Sequence, residues 1–393
     1  MRCSSVLLAT ILTTAAAGLA AQTPYPQCSA FGSQPFTTSD VNLCNAAVDG
    51  AKIFHPVAGL LVSGGNPVIG GIGTLGGFGH FALTARVNAT ELKTPDLNYN
   101  GSTTIVAQGD KIFAPAPLVE AAVGVFKGVG PSRLLAIDLL GSAQLLPTTQ
   151  ISGLTVDKNA RKIGSIALGL GYGARVGVIK GRAIIPSVAV SAMRRSIPKL
   201  TFGDIAGGDK YSFSTNLNAT NLRAVAGYKL ALLAVGAGLG WDKYTGKVDA
   251  TFQPSGGGTP QSAQTIKLDN SRTMAFLSAA LDLPIVKIGA EAGYQFGKNQ
   301  NLKTTFTGND PSKSRLFAGA GIRSLDAGGT LFPHLGHPVG AVSERDGLCA
   351  VRSAQYHLCA EGRAAGQTNP EENSQAGRKN SALNFLQVPR RQQ

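Results

Sequence analysis

From Gly164 to Gly181 the chain reads GSIALGLGYGARVGVIKG, and every second residue from Ile166 to Val178 is apolar: Ile166, Leu168, Leu170, Tyr172, Ala174, Val176 and Val178. Between them stand Ala167, Gly169, Gly171, Gly173, Arg175 and Gly177. A strict period of two is the mark of a strand with unlike faces. Here one face is large and apolar and the other is almost empty. A soluble sandwich also alternates, but it hides the large face under a second sheet and turns many charged residues to water. Glycine and alanine do not make such a solvated face. Lipid covers a large apolar face without any protein partner, provided the sheet closes and leaves no unpaired edge.

The asymmetry recurs. In LAVGAGLGWDK the outward set is Leu233, Val235, Ala237, Leu239 and Trp241, with Gly236, Gly238, Gly240 and Asp242 opposite. In VKIGAEAGYQFGK it is Val286, Ile288, Ala290, Ala292, Tyr294 and Phe296, against Lys287, Gly289, Glu291, Gly293 and Gln295. The first strand is read from Leu75, with Leu75, Phe81, Leu83, Ala85 and Val87 on one face and Phe78, His80, Thr84, Arg86 and Asn88 on the other. Nine more follow, near 117–127, 133–146, 163–179, 183–197, 211–231, 233–252, 265–283, 286–306 and 315–325. Long polar connections (89–116, 147–162, 198–210, 253–264, 307–314) alternate with short ones, as in a barrel with tight turns at one end and loops at the other. The expected fold is therefore all-β: an antiparallel transmembrane β-barrel of about ten strands, within a range of eight to fourteen, preceded by a helical, plug-like N-terminal segment. Two strands read less cleanly. RTMAFLSAALDLP is apolar on both faces, and Pro186 falls inside the one spanning 183–197. Trp241, Tyr172, Tyr211, Tyr244 and Tyr294 are candidates for interfacial aromatic girdles.

Composition supports this reading. The chain has 393 residues, of which 50 are glycine, 43% are hydrophobic and only 15% are charged. That is not the makeup of an ordinary helical enzyme, and it is too apolar for disorder. Residues 1–21, MRCSSVLLATILTTAAAGLAA, read as a cleaved secretory signal. Beyond them no stretch is long and apolar enough for a spanning helix. Residues 22–73 form a periplasmic or plug segment, 74–325 the barrel, and 326–393, which lack any period, a disordered extension or an out-of-frame reading of the gene's end.

Within the N-terminal segment, 38–54 reads as a helix capped by Ser39 or Asp40 and kinked or ended by Pro56. Cys28 and Cys44 fit a disulfide in an exported protein, the alternative being two free thiols. An even strand count puts both ends of the barrel on the short-turn side, so this segment lies on that side or inside the barrel. It is too apolar to float free.

A glycine-rich hatch, SGGNPVIGGIG, leads into the first strand. In this it resembles the outer-membrane long-chain fatty-acid transporter family, and Asn66-Pro67-Val68 is similar to the Asn-Pro-Ala element of that family's hatch. That family has about fourteen strands, more than are counted here. The resemblance implies diffusion of a hydrophobic ligand through a hatch-gated barrel, with Asn66 and Pro67 as hatch residues.

The inward face carries His80, Arg86, Glu120, Asp138, Arg175, Arg223, Lys229, Asp242, Lys287, Glu291 and Arg323. They read either as ion pairs filling a narrow barrel or as the lining of a solute path. The net charge of +14 would bias such a path toward anions, or give the loops affinity for anionic lipopolysaccharide. No enzymatic activity is expected: there is no G-x-S-x-G, and His80 is the only barrel histidine. No cofactor is expected. His334, His337, Cys349, His357 and Cys359 match no standard zinc spacing, so no metal is expected either. The expected location is the bacterial outer membrane. The expected partners are outer-membrane lipid, the outer-membrane assembly machinery and a small hydrophobic or anionic solute, with no nucleic acid. The expected function is passive transport of such a solute, the alternative being a structural barrel or adhesin acting through its loops.

Overall fold

The computed structural model describes residues 23–148, 153–181, 185–263 and 265–324. The segments expected to be a signal (1–21) and a C-terminal extension (326–393), with the latter's His and Cys residues, lie outside them. Among the described residues ten long strands form one antiparallel sheet: β1 (Phe81–Pro95), β2 (Gln108–Phe126), β3 (Ala136–Pro147), β4 (Ile166–Ile179), β5 (Ser187–Phe202), β6 (Tyr211–Leu230), β7 (Leu233–Phe252), β8 (Ile266–Asp282), β9 (Val286–Gln295) and β10 (Arg315–Ser324). Each pairs with its successor, and β10 returns to β1 with Arg323 opposite Thr84 and Phe317 opposite Thr90. The sheet is closed.

Leu170, Tyr172, Leu239, Leu277 and Tyr294 project outward and are exposed, whereas Arg86, Glu120, Asp138, Arg175, Arg223, Asp242 and Glu291 are buried within. A closed sheet with apolar side chains outside and its charges inside is a transmembrane β-barrel. Every strand has the length a tilted crossing needs, roughly ten residues or more.

The boundaries shift in places. β1 begins at Phe81, and Leu75 does not join its outer face; it lies inside the barrel, where its amide donates to Asp138 at 3.1–3.2 Å. β2 begins at Gln108, nine residues earlier than its pattern indicated, because Pro115 and Pro117 obscure it. β9 stops at Gln295 rather than continuing to 306. Pro186 stands just ahead of β5, so the ladder never meets it. Tyr211 and Tyr244 are fully buried in the lumen and form no girdle, while Trp241, Tyr172 and Tyr294 do face outward.

One helix, α1 (Thr38–Ser63), occupies the lumen. Its N-cap is Thr37, two or three residues before the expected caps, and the Thr37 amide donates to Asp40 Oδ2 at 2.7 Å. Pro56 does not end it; the helix continues to Ser63. Proline removes one backbone bond, but the surrounding wall holds the helix, which is buried along most of its length. Gly50 and Gly59 leave room for the rings of Phe213 and Tyr244. Enclosure also explains why β8 is apolar on both faces: Met274 and Phe276 pack inward with Leu60 of α1, and Leu277 faces out.

The N-terminal end of α1 lies at the long-loop end of the barrel. Asn42 Nδ2 donates to Gly101 O at 2.9 Å, and Asp40 Oδ1 accepts from Ser255 N at 2.6 Å. Asp49 Oδ2 accepts from the amides of Lys303 and Thr304, both at 2.7 Å. Cys28 and Cys44 are joined, tying the preceding turn (Pro26–Ser29) to α1. From Ser63 the chain descends the lumen and emerges at the short-turn end to start β1. The segment thus enters from the long-loop side. Of the two placements expected, on the short-turn side or inside the barrel, the helix takes the second.

Candidate functional site: a polar collar, an apolar cavity and an open seam

The last turn of α1 meets a continuous polar collar. Glu291 accepts the amides of Gly65 (2.8 Å) and Asn66 (2.9 Å) and pairs with Arg86 Nη2. Arg86 Nη1 donates to Asn66 O at 2.6 Å and reaches Glu120 at 3.3 Å. Glu120 binds Arg195 at 2.9 Å, Arg195 donates to Asn221 at 2.7 Å, and Asn221 donates to Asp242 at 2.7 Å and to Ser63 Oγ at 2.8 Å. Asp242 pairs with Arg223 at 2.6 Å, and Arg223 donates to the carbonyls of Gly64 and Gly65, both at 2.9 Å. A guanidinium on the terminal carbonyls of a helix satisfies orphan acceptors and complements the dipole. Gly64 has φ +57°, a left-handed conformation suited to glycine. The collar therefore welds the plug to the wall, and charges this deep are stable only because each is paired and hydrogen-bonded.

Of the sequence-picked residues, Arg86, Glu120, Arg223, Asp242, Glu291 and Asn66 meet in this collar. Asn66 also closes a tight turn, donating to Gly71 O at 2.6 Å and accepting from Val68 N at 3.1 Å, with Pro67 inside that turn. Asp138 and Arg175 form a separate pair at 2.6 Å, nearer the short-turn end. Lys287 and Lys229 both pair with Asp282, Lys229 with its side chain largely exposed at the mouth. His80 departs from expectation: it stands one residue ahead of β1, half-buried, beside the glycine loop at the short-turn mouth rather than within the lumen. Arg195 was missed. Its signal was available, since Ala189, Ser191, Met193 and Arg195 share one buried face of β5.

Between α1 and the wall lies an apolar cavity of about 470 Å³. Phe54, Ala58, Leu61 and Val62 of α1 form one side, and Leu92, Ile112, Ala116, Leu146, Ile197 and Phe202 the other. Its mouth contains Phe113, Pro115, Pro117, Leu145 and Pro147. These residues mark a break in the barrel wall. The β2–β3 ladder runs from Phe126 opposite Ile137 to Leu118 opposite Gln144 and stops there. β2 continues for ten residues beyond it, to Gln108, paired only with β1, and Leu145–Pro147 pair only with β4.

The cause is local chemistry. Pro117 O accepts Gln144 Nε2 at 2.7 Å, so the Pro117 backbone faces β3. The nitrogen and carbonyl of a strand residue point to the same neighbour, and Pro115, two residues away, points the same way. Neither proline carries an N–H, so the seam has no donors there. Gln144 covers the last carbonyl. Because that contact fixes Nε2 as donor, Oε1 is assigned as the acceptor. It is buried, lines the cavity wall, and has no donor among the described residues.

No family profile and no curated protein matches this sequence. Solved structures do resemble it. The translocator domain of the autotransporter NalP from Neisseria meningitidis is 12% identical, with a TM-score of 0.31 over 72% of this chain and 97% of that one. The outer membrane protease OmpT from Escherichia coli is 8% identical, with a TM-score of 0.29 over 62% and 93%. The toluene transporter TodX of Pseudomonas putida is 10% identical, with a TM-score of 0.24 over 62% and 87%. At such scores they define neither a family nor an activity for this chain. What the geometry itself defines is a class: a ten-stranded transmembrane barrel filled by its own N-terminal helix, with a β2–β3 ladder that stops short beside an apolar cavity.

Proposed function

We propose that the protein is a bacterial outer-membrane barrel that passes a small hydrophobic molecule between the bilayer and its lumen through the β2–β3 seam. The observation that supports this most directly is the apolar cavity of about 470 Å³ ending at the gap the prolines leave. That volume suits one small ligand. A lipid-facing gap lets an apolar solute enter without crossing water, so burial of its surface drives binding. Gln144 Oε1 supplies one acceptor, which selects a solute carrying a single hydroxyl or N–H over a pure hydrocarbon. The collar and α1 hold the lumen closed to bulk water flow, and passive exchange needs no catalytic group.

The test is binding of a hydrophobic fluorophore to the full chain refolded in detergent, set beside the same protein with Ala116→Trp, which fills the cavity. Saturable binding that falls at least about tenfold in the variant supports the reading. Equal binding by both proteins, or none, overturns it. In planar bilayers the same protein is expected to insert without discrete conductance steps. Steady steps would replace this reading with an aqueous pore.

A further inference from the structure

A second cavity, of about 360 Å³, opens at the short-turn mouth, and its character is the reverse of the first. Six cationic side chains line it: Arg133, Arg175, Lys180, Lys229, Lys287 and Arg323. Among them Arg175 binds Asp138, and Lys229 and Lys287 bind Asp282. The balance is strongly positive. The floor is the strip Gly70-Gly71-Ile72-Gly73, whose three glycines bring the backbone against the basic groups.

Two guanidinium groups converge over that strip. Nη1 of Arg323 and Nη1 of Arg175 lie 2.9 and 3.0 Å from the point a Gly71 Cβ would occupy. Arg175 is 2% exposed, and its Nε and Nη2 are spent on Asp138 at 2.9 and 2.6 Å. Its Nη1 is buried and donates to nothing among the described residues. A buried guanidinium donor aimed into a basic, glycine-floored cavity is a donor held in place for an oxyanion.

We infer that this vestibule binds a soluble, multiply charged phosphate compound, held by Arg175 and Arg323 over Gly71 and steered in by Lys180 and Lys229. Several cations with few acids favour a polyanion over a monocarboxylate. Arginine forks match phosphate oxygens, and the volume exceeds that of a single phosphate. The site lies at the opposite end of the lumen from the apolar cavity and does not depend on how that cavity is used.

The experiment is calorimetric titration of the refolded full chain with pyrophosphate at low salt. A parallel titration uses a short-chain phosphatidic acid in the same detergent. Saturable pyrophosphate binding is expected, weakening as salt rises. Arg175→Lys should reduce affinity about tenfold by losing the fixed fork, and Lys229→Gln about threefold. Gly71→Ala puts a methyl 2.9 and 3.0 Å from the two guanidinium Nη1 atoms, crowds them off the strip without removing either charge, and should abolish binding even if Arg175→Lys fails to fold. Absence of saturable pyrophosphate binding overturns the inference. So does binding that Gly71→Ala and Lys229→Gln leave unchanged, and so does binding of the lipid phosphate alone.

Discussion

The β6–β7 and β2–β3 seams belong to one sheet, yet they are built differently. β6 and β7 pair from the tight turn at Leu230 and Leu233 to Tyr211 opposite Phe252, nearly their full length. Inside that seam Arg223, Asn221 and Asp242 bind one another and the end of α1, and the helix rests mainly on these two strands. β2 and β3 share only the lower part of their length, and the helix stands away from them across an apolar cavity. Sheet closure is therefore not uniform stability. Where backbone donors and inner polar groups coincide the wall is fastened twice. Where prolines remove the donors and the inner face is apolar, only the Gln144–Pro117 hydrogen bond and dispersion hold it.

The largest break in this comparison should come from the fastened side. Asp242→Ala strips the partner from the fully buried Arg223 and should cost about 3–5 kcal/mol or prevent folding, read as a fall in the denaturant midpoint. Next, replacing Cys28 and Cys44 with serine frees the turn that anchors α1. The closed loop of 16 residues predicts a loss of about 3 kcal/mol, and the plug should then protect its amides from exchange less well. On the open side, Pro115→Val with Pro117→Val restores two donors, extends the β2–β3 ladder and should slow fluorophore entry about tenfold with little loss of stability. Gln144→Leu should erase the preference for a hydroxyl-bearing probe over its hydrocarbon analogue, worth about 1–3 kcal/mol of discrimination.

The smallest effect is at the rim. Burial by itself would raise the Asp40 carboxyl, but hydrogen bonds from Ser255 and Thr37 outweigh it and hold the group below its ordinary value of 3.8. A depressed carboxylate stabilises the folded state above the unfolded pKa, and that stability is lost as pH falls through the lower, folded value. Acidification below about 3.8 should therefore loosen the Asp40–Ser255 contact in the wild type. Asp40→Asn should flatten the pH dependence of stability in that range.

Period-two alternation made ten strands and their inward faces legible, because a barrel wall repeats one local rule and each strand carries its own signal. The buried positions of Arg86, Arg223 and Glu291 followed from parity alone. The cavity did not. Pro115 and Pro117 read locally as a strand beginning, since proline is a boundary in most contexts; only the register against Gln144 shows them to be the unpaired edge of a longer strand. Pro56 misled in the opposite sense, since a helix sheathed by a barrel survives what would end an exposed one.

By itself the sequence determined the sheet, its inside and its outside, because side-chain direction in a strand depends on neighbours one and two residues away. It also supplied the helix and the two cysteines that close on each other. The tertiary structure alone decided that the helix enters from the long-loop side, that Arg195 completes the collar, and that one seam stays open above a cavity. Those features depend on which strand faces which across many residues, and on the space left when a helix leans to one side of a closed wall.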